Sequence, residues 1–197
     1  IFHLSYGMVD LPEGKMKSRE GTVVDADDLI REITEEAGKA TRELGKLDDF
    51  DSEEARTLFH TLAMGALKYF ILKVDPKKRM LFNPAESIDL NGNTGPFIQY
   101  TYARINSVLR KGAGSDVSAA VAASHTMTAA EKRVVVLLYG YQEVLASAAR
   151  SLAPSLIAGY VYDLAKSFNH FYHDHVIVDA AAPAATGVRR GNPRRSG

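Results

Sequence analysis

Residues 154–175 of this chain read PSLIAGYVYDLAKSFNHFYHDH. Their large apolar side chains recur three and four positions apart, which is the spacing of one face of an α-helix. Pro154 stands at the start, where the first turn of a helix accepts a proline. The apolar face comprises Ile157, Tyr160, Val161, Leu164, Phe168, Phe171 and Tyr172. Such a face has to be buried, so the segment predicts a helix that packs against other helices.

Four more helices are predicted upstream of this segment. Asp51 and Glu54 have the spacing of a capping box, in which side chains and backbone bond reciprocally at a helix start. Thr128 and Glu131 repeat that spacing ahead of an apolar pattern that continues to Ala148. The predicted helices run over residues 26–45 and 52–70, from Pro96 to residue 111, and from Thr128 to Ala148. Helices this numerous in a short chain predict a mainly α fold, a helical bundle.

The segments between the helices have compositions that break regular structure. Residues 1–24 mix short β-favouring runs with glycine and proline, and predict strands and loops. Residues 71–96 predict a connector, with or without a short strand, and residues 112–126 a flexible or weakly helical linker. Residues 179–197 are rich in Ala, Pro, Gly and Arg without periodicity, and predict a disordered tail.

Composition excludes several classes of protein. Hydrophobic residues make up 46% of the 197 and charged residues 24%, as in soluble globular proteins. Lys plus Arg and Asp plus Glu each number 24, so any binding of nucleic acid must use a local patch. The absence of cysteine excludes disulfides, thiolate-bound zinc and thiol nucleophiles. No apolar run or signal pattern indicates a membrane partner, so we expect a cytoplasmic protein. The apolar start at Ile1 indicates entry into the middle of a longer protein.

A cationic loop is predicted near the N-terminus. Between Gly14 and Gly21 stand Lys15, Lys17, Ser18 and Arg19. The glycines permit unusual backbone angles, so the loop could close over phosphate. Ammonium and guanidinium groups stabilise the negative charge that builds on oxygens during phosphoryl or nucleotidyl transfer. The alternative is a solvated basic hairpin tip.

Two further patterns allow both a functional and a structural interpretation. Gly92, Asn93, Thr94 and Gly95 form either a phosphate cradle at a helix start or a turn that leads into a helix. On the following helix, Tyr100, Tyr102, Arg104 and Arg110 either stack on RNA bases and contact phosphates, or are half-buried tyrosines and solvated arginines. A last cluster contains His170, His173, Asp174 and His175. It falls at a helix C-terminus, where histidine suits the helix dipole, so we predict no metal site there.

The segment HLSYGMVDLPEGKMKSREGTVV, residues 3–24, resembles the Lys-Met-Ser-Lys-Ser loop of class I aminoacyl-tRNA synthetases, in the form found in arginyl-tRNA synthetases. The resemblance implies that Lys15 contacts the ATP phosphates, that Met16 anchors the loop and that Ser18 joins the ATP site. Lys17 and Ser18 replace the serine and lysine of the motif, so either Lys17 or Arg19 supplies its second cation. The implied catalytic residues are Lys15, Lys17 and Arg19.

Two later segments are similar to the same family. The first is LFNPAESIDLNGNTGPFIQYTYARINSVLRK, residues 81–111, which resembles the passage from the catalytic domain to the anticodon-binding domain in arginyl-tRNA synthetases. The second is residues 154–175, which resembles the helical DALR-type anticodon-binding domain. The implied organisation is the end of the catalytic domain at residues 1–24, connecting helices at 25–95, the anticodon-binding domain at 96–178 and the tail at 179–197. The candidate tRNA-binding residues are Tyr100, Tyr102, Arg104, Arg110, Lys111, Tyr160 and Tyr172.

The resemblance implies the C-terminal part of an arginyl-tRNA synthetase, a monomer that uses ATP with magnesium to attach arginine to its tRNA. By itself the chain is expected to be inactive, because the rest of the catalytic domain would precede Ile1. The alternatives are a free-standing tRNA-binding or assembly module and another class I synthetase with a helical anticodon domain.

Overall fold

The computed structural model describes residues 3, 5–11, 25–43, 45, 51–113, 126–175 and 177. The elements in chain order are β1 (Val9–Asp10), α1 (Ala26–Glu43), α2 (Ser52–Leu72), β2 (Met80–Leu81), α3 (Pro84–Ser87), α4 (Gly95–Lys111), α5 (Ala129–Tyr139), α6 (Tyr141–Ser151) and α7 (Pro154–Asp174). The prediction of a mainly α helical bundle is confirmed. None of the helices in these ranges is long and apolar enough to cross a membrane.

The first part of the bundle is built on α1 and α2. Asp51 caps α2 as predicted, since its carboxylate accepts from the backbone of Glu53 and Glu54 and the Glu54 carboxylate accepts from the Asp51 amide. The shared core contains Leu29, Ile33, Ala37, Ala63, Ala66 and Phe82. Phe82 follows β2, which pairs in parallel with β1. Val9 in β1 and Leu11 just after it pack against this core.

Two glycines allow α2 and α4 to cross closely. A Cβ on Gly95 would lie 2.2 Å from the carbonyl oxygen of Gly65, a distance at which atoms collide. Thr94 caps α4 by accepting from the Phe97 amide at 3.3 Å. Residues 92–95 therefore form the turn into a helix, and the close packing of Gly95 against α2 explains its glycine.

The second part of the bundle is organised around α7, which packs against α4, α5 and α6. The predicted single helix from Thr128 to Ala148 is wrong, because it divides at Gly140 into α5 and α6. The Gly140 amide bonds to the carbonyls of both Val136 and Leu137. The Tyr160 hydroxyl of α7 donates to the Leu137 carbonyl at 3.1 Å. Two features favour the break between α5 and α6. Gly140 is a weak helix former, and the Leu137 carbonyl is shared with a side chain of α7.

Three predicted segments lie outside the described residues, wholly or in part. The cationic loop, with Lys15, Met16, Lys17, Ser18 and Arg19, falls in residues 12–24. Most of the predicted linker falls in residues 114–125, and the predicted tail begins after residue 177. The roles given to the loop therefore stay predictions.

Candidate nucleic-acid interface

The pairing of α4 with α7 depends on a chain of polar groups. Thr101 on α4 is 2% exposed, and its hydroxyl donates to the Phe97 carbonyl at 2.8 Å. Asn169 on α7 donates its amide group to the Thr101 oxygen at 2.6 Å and to the Ala165 carbonyl at 3.0 Å. The buried Thr101 hydroxyl thus has both a donor and an acceptor as partners, as the burial of a polar group requires. These bonds fix the register of α4 against α7.

Arg104 completes this polar chain at the surface. Its guanidinium donates to the Asn169 side-chain oxygen, and its central carbon lies 4.8 Å from the ring centroids of both Tyr100 and Tyr172. A guanidinium between two aromatic faces is held by cation–π attraction. We call Tyr100, Arg104, Asn169 and Tyr172 the arginine–tyrosine cluster.

The cluster presents aromatic and cationic groups to solvent. Tyr100 is 41% exposed and Tyr172 37% exposed, so part of each ring is accessible. Arginine carries five N–H donors, and Asn169 accepts from Arg104 through one terminal nitrogen. The cluster can therefore offer ring surface to a base and N–H groups to a phosphate.

The other candidate tRNA-binding residues lie elsewhere. Tyr102 is 68% exposed and faces away from Arg104, because two residues turn a helix by about 200°. Arg110 and Lys111 are exposed in the last turn of α4, about 10 Å along the helix axis from Arg104. Tyr160 is half-buried, and its ring lies 5.6 Å from that of Tyr141. Tyr160 therefore joins α7 to α5 and α6.

Asn169 was not singled out from the sequence, although the pattern contained a signal. The residue stands inside a long helix, where asparagine is unfavourable unless its amide is used. It also borders the predicted apolar face, one position after Phe168 and three before Tyr172. An amide on a buried side indicates a hydrogen-bonded contact between helices.

A cationic groove between α5 and α7 was also missed. Its volume is about 590 Å³. The residues that line it are Ala129, Ala130, Lys132, Arg133, Val136, Asp163, Lys166, Ser167 and His170. Arg133 donates to the Ser167 hydroxyl at 3.4 Å, which ties the two walls together. The sequence alone does not show that the basic residues of α5, Lys132 and Arg133, lie beside those of α7, Lys166 and His170. Only the packing of the two helices brings them together.

The histidines at the end of α7 form local contacts. The His173 ring lies 3.1 Å from the Asp174 carboxylate, and this hydrogen bond lowers the pKa of Asp174. His170 lies 3.4 Å from the same carboxylate. His175 bonds to the Phe171 carbonyl at 3.0 Å. Within the described part of the chain, no group of three potential ligands is arranged to hold a metal ion.

Residues 98–190 match the family model described as the DALR anticodon binding domain. The match begins inside α4, close to the predicted domain start at residue 96, and continues past the predicted end at residue 178. It includes the arginine–tyrosine cluster and the groove. The helical fold and the match together define the class of this part of the chain as a DALR anticodon-binding domain.

Comparison of the whole chain narrows this class. The arginine–tRNA ligase of Parabacteroides distasonis is 51% identical over 191 residues, 96% of this chain and 32% of that protein. The ligase of Flavobacterium psychrophilum is 56% identical over 172 residues, 87% of this chain and 28% of that protein. The arginyl-tRNA synthetase structure from Thermus thermophilus superposes with a TM-score of 0.77 at 28% identity, covering 94% of this chain and 30% of that one.

The chain belongs to the arginyl-tRNA synthetase family and corresponds to the C-terminal part of its members. It spans about a third of the length of the curated relatives it matches, 32% and 28% for the two described above.

Proposed function

We propose that the chain binds the anticodon arm of arginine tRNA as part of an enzyme that attaches arginine to that tRNA. Support comes from the match of residues 98–190 to an anticodon-binding domain and from relatives named arginine–tRNA ligase. The ligase reaction as a whole would need the part of the relatives that this chain does not match. The chain alone is therefore expected to be inactive.

The arginine–tyrosine cluster is the observation that carries the proposal. Protein recognition of single-stranded RNA loops combines stacking of unpaired bases on aromatic rings with contacts to phosphates. Tyr100 and Tyr172 have accessible rings, and Arg104 between them is a cation already oriented by Asn169. A preordered guanidinium loses little conformational freedom when RNA binds.

ATP, with magnesium, would be the second substrate of the complete synthetase. We assign contact with its phosphates to Lys15, with Met16 and Ser18 beside it and the second cation from Lys17 or Arg19. All of these residues lie outside the described part of the chain, so this assignment rests on the sequence motif alone. A monomer in the cytoplasm remains the expected form and location.

Binding of RNA by the complete synthetase tests the proposal. A variant with Tyr100→Ala and Tyr172→Ala should bind arginine tRNA more weakly by about 1 to 3 kcal/mol for each stacked base lost. Because base contacts carry specificity, its preference for arginine tRNA over a non-cognate tRNA should also fall. Tyr139→Ala is the matched control, since this tyrosine of α5 is 90% exposed and lies outside the cluster. An unchanged preference in a folded double variant would show that recognition lies elsewhere.

A further inference from the structure

We propose that the cationic groove between α5 and α7 binds the phosphodiester backbone of RNA, as a second contact surface that does not read sequence. The inference rests on the proposed tRNA-binding function and extends it to residues outside the arginine–tyrosine cluster. Its basis is the set of side chains that the pairing of α5 with α7 brings together.

The groove concentrates positive charge in a chain whose formal net charge is zero. Lys132, Arg133 and Lys166 line it against a single carboxylate, that of Asp163. Within the described residues, none of the three cations forms an ion pair. By contrast, Arg31, Lys39, Arg79 and Arg150 each pair with a carboxylate. The groove is thus a local patch of the kind that a neutral protein needs to attract a polyanion.

The lining of the groove selects backbone rather than base. Its apolar wall consists of Ala129, Ala130 and Val136, which offer no flat ring for stacking. The ring that does line the groove, that of His170, lies 3.4 Å from the Asp174 carboxylate. Arg133 is oriented by its bond to Ser167, and the lysines supply flexible ammonium groups. Lysine, arginine and serine side chains commonly contact phosphate oxygens, and such contacts position an RNA without reading its sequence.

The groove lies on the same helix as the arginine–tyrosine cluster. Asn169 and Tyr172 lie on the side of α7 that faces α4, whereas Lys166 and His170 line the groove on the side that faces α5. Lys166 and Asn169 are separated by only about 4.5 Å along the helix axis. One RNA strand that crosses α7 could therefore place a base on the cluster and its neighbouring phosphates in the groove.

The test is the salt dependence of tRNA binding by the complete synthetase. Lys132→Gln with Lys166→Gln removes two charges but keeps much of each side chain. Each phosphate contact on a single strand contributes about 0.7 to the slope of log affinity against log salt concentration, so the slope should flatten by about 1.4. The loss of affinity should be equal for arginine tRNA and for a non-cognate tRNA transcript. Lys68→Gln with Lys77→Gln is the control, an identical charge change at exposed lysines outside the groove.

The outcomes separate the two proposals. An unchanged slope in the groove variant, with circular dichroism showing it folded, would overturn the groove assignment even if the Tyr100 and Tyr172 variant loses affinity. A loss confined to arginine tRNA would also overturn it, because phosphate contacts cannot discriminate between tRNAs. If the control variant flattens the salt dependence equally, RNA is attracted by the charge of the whole surface, and the groove is not a binding site. Failure of the unmodified synthetase to bind either tRNA would refute the proposed function, and the groove assignment with it.

Discussion

Replacing Asn169 by alanine should weaken both the fold and the binding of RNA. The substitution removes the bond from Arg104 and the bond to Thr101. Allowing about 1.5 kcal/mol for the charged bond and about 1 kcal/mol for the neutral one gives a loss of about 2.5 kcal/mol. Alanine forms a helix more readily than asparagine, which offsets about 0.5 kcal/mol of this loss. The free energy of unfolding should therefore fall by about 2 kcal/mol.

The assay for Asn169→Ala is urea unfolding followed by circular dichroism, together with binding of arginine tRNA. Asn106→Ala is the matched control, since Asn106 lies on α4 and its side chain makes no hydrogen bond to another described residue. Arginine tRNA should also bind less tightly, because Arg104 loses the group that orients it. Equal stability of the two variants to within about 0.5 kcal/mol, with unchanged tRNA affinity, would refute the assigned role of Asn169.

Other predictions concern the helix crossing, the partly buried hydroxyl of Tyr69 and the ATP loop. Gly95→Ala should destabilise the protein strongly, because the new Cβ would meet the Gly65 carbonyl oxygen at 2.2 Å; thermal unfolding measures this, and an unchanged midpoint would contradict it. Burial raises the pKa of Tyr69 from 10.0 to about 12, so its contribution to stability is present below pH 10 and is lost as the pH rises towards 12. In an ultraviolet titration, the tyrosinate absorbance that the protein has and Tyr69→Phe lacks should therefore appear near pH 12. Its appearance near pH 10 would contradict the raised pKa. In the complete synthetase, Lys15→Ala should slow arginine activation roughly a hundredfold to a thousandfold, measured by ATP–pyrophosphate exchange, and unchanged turnover would point to Lys17 or Arg19.

Sequence patterns predicted the helices because the signals of helix formation are local. The capping boxes at Asp51 and Thr128 are present where their spacing placed them. The break at Gly140 was not predicted, because the apolar pattern continues through it and the Tyr160 hydroxyl comes from another helix. The close crossing of α2 and α4 likewise depends on Gly65 meeting a residue far along the chain.

The candidate site was only partly predictable for the same reason. Tyr100, Arg104 and Tyr172 were singled out individually by residue type, and the packing of α4 against α7 unites them. Tyr102 was grouped with them by proximity in sequence, although two residues along a helix point to different sides. The groove was not predicted, because Lys132 lies on α5 and Lys166 on α7, and no local sequence pattern specifies that these two helices pack together.

Binding of the anticodon arm by α4 and α7 can be measured by competition between RNA fragments. Labelled arginine tRNA bound to the complete synthetase is challenged with its anticodon stem–loop or with an acceptor-arm minihelix of equal length. We expect the stem–loop to displace the tRNA. Its affinity should fall in the variant with Tyr100→Ala and Tyr172→Ala, whereas the affinity of the minihelix should stay the same. A stem–loop that fails to compete, or whose affinity is the same for both proteins, would show that α4 and α7 do not bind the anticodon arm.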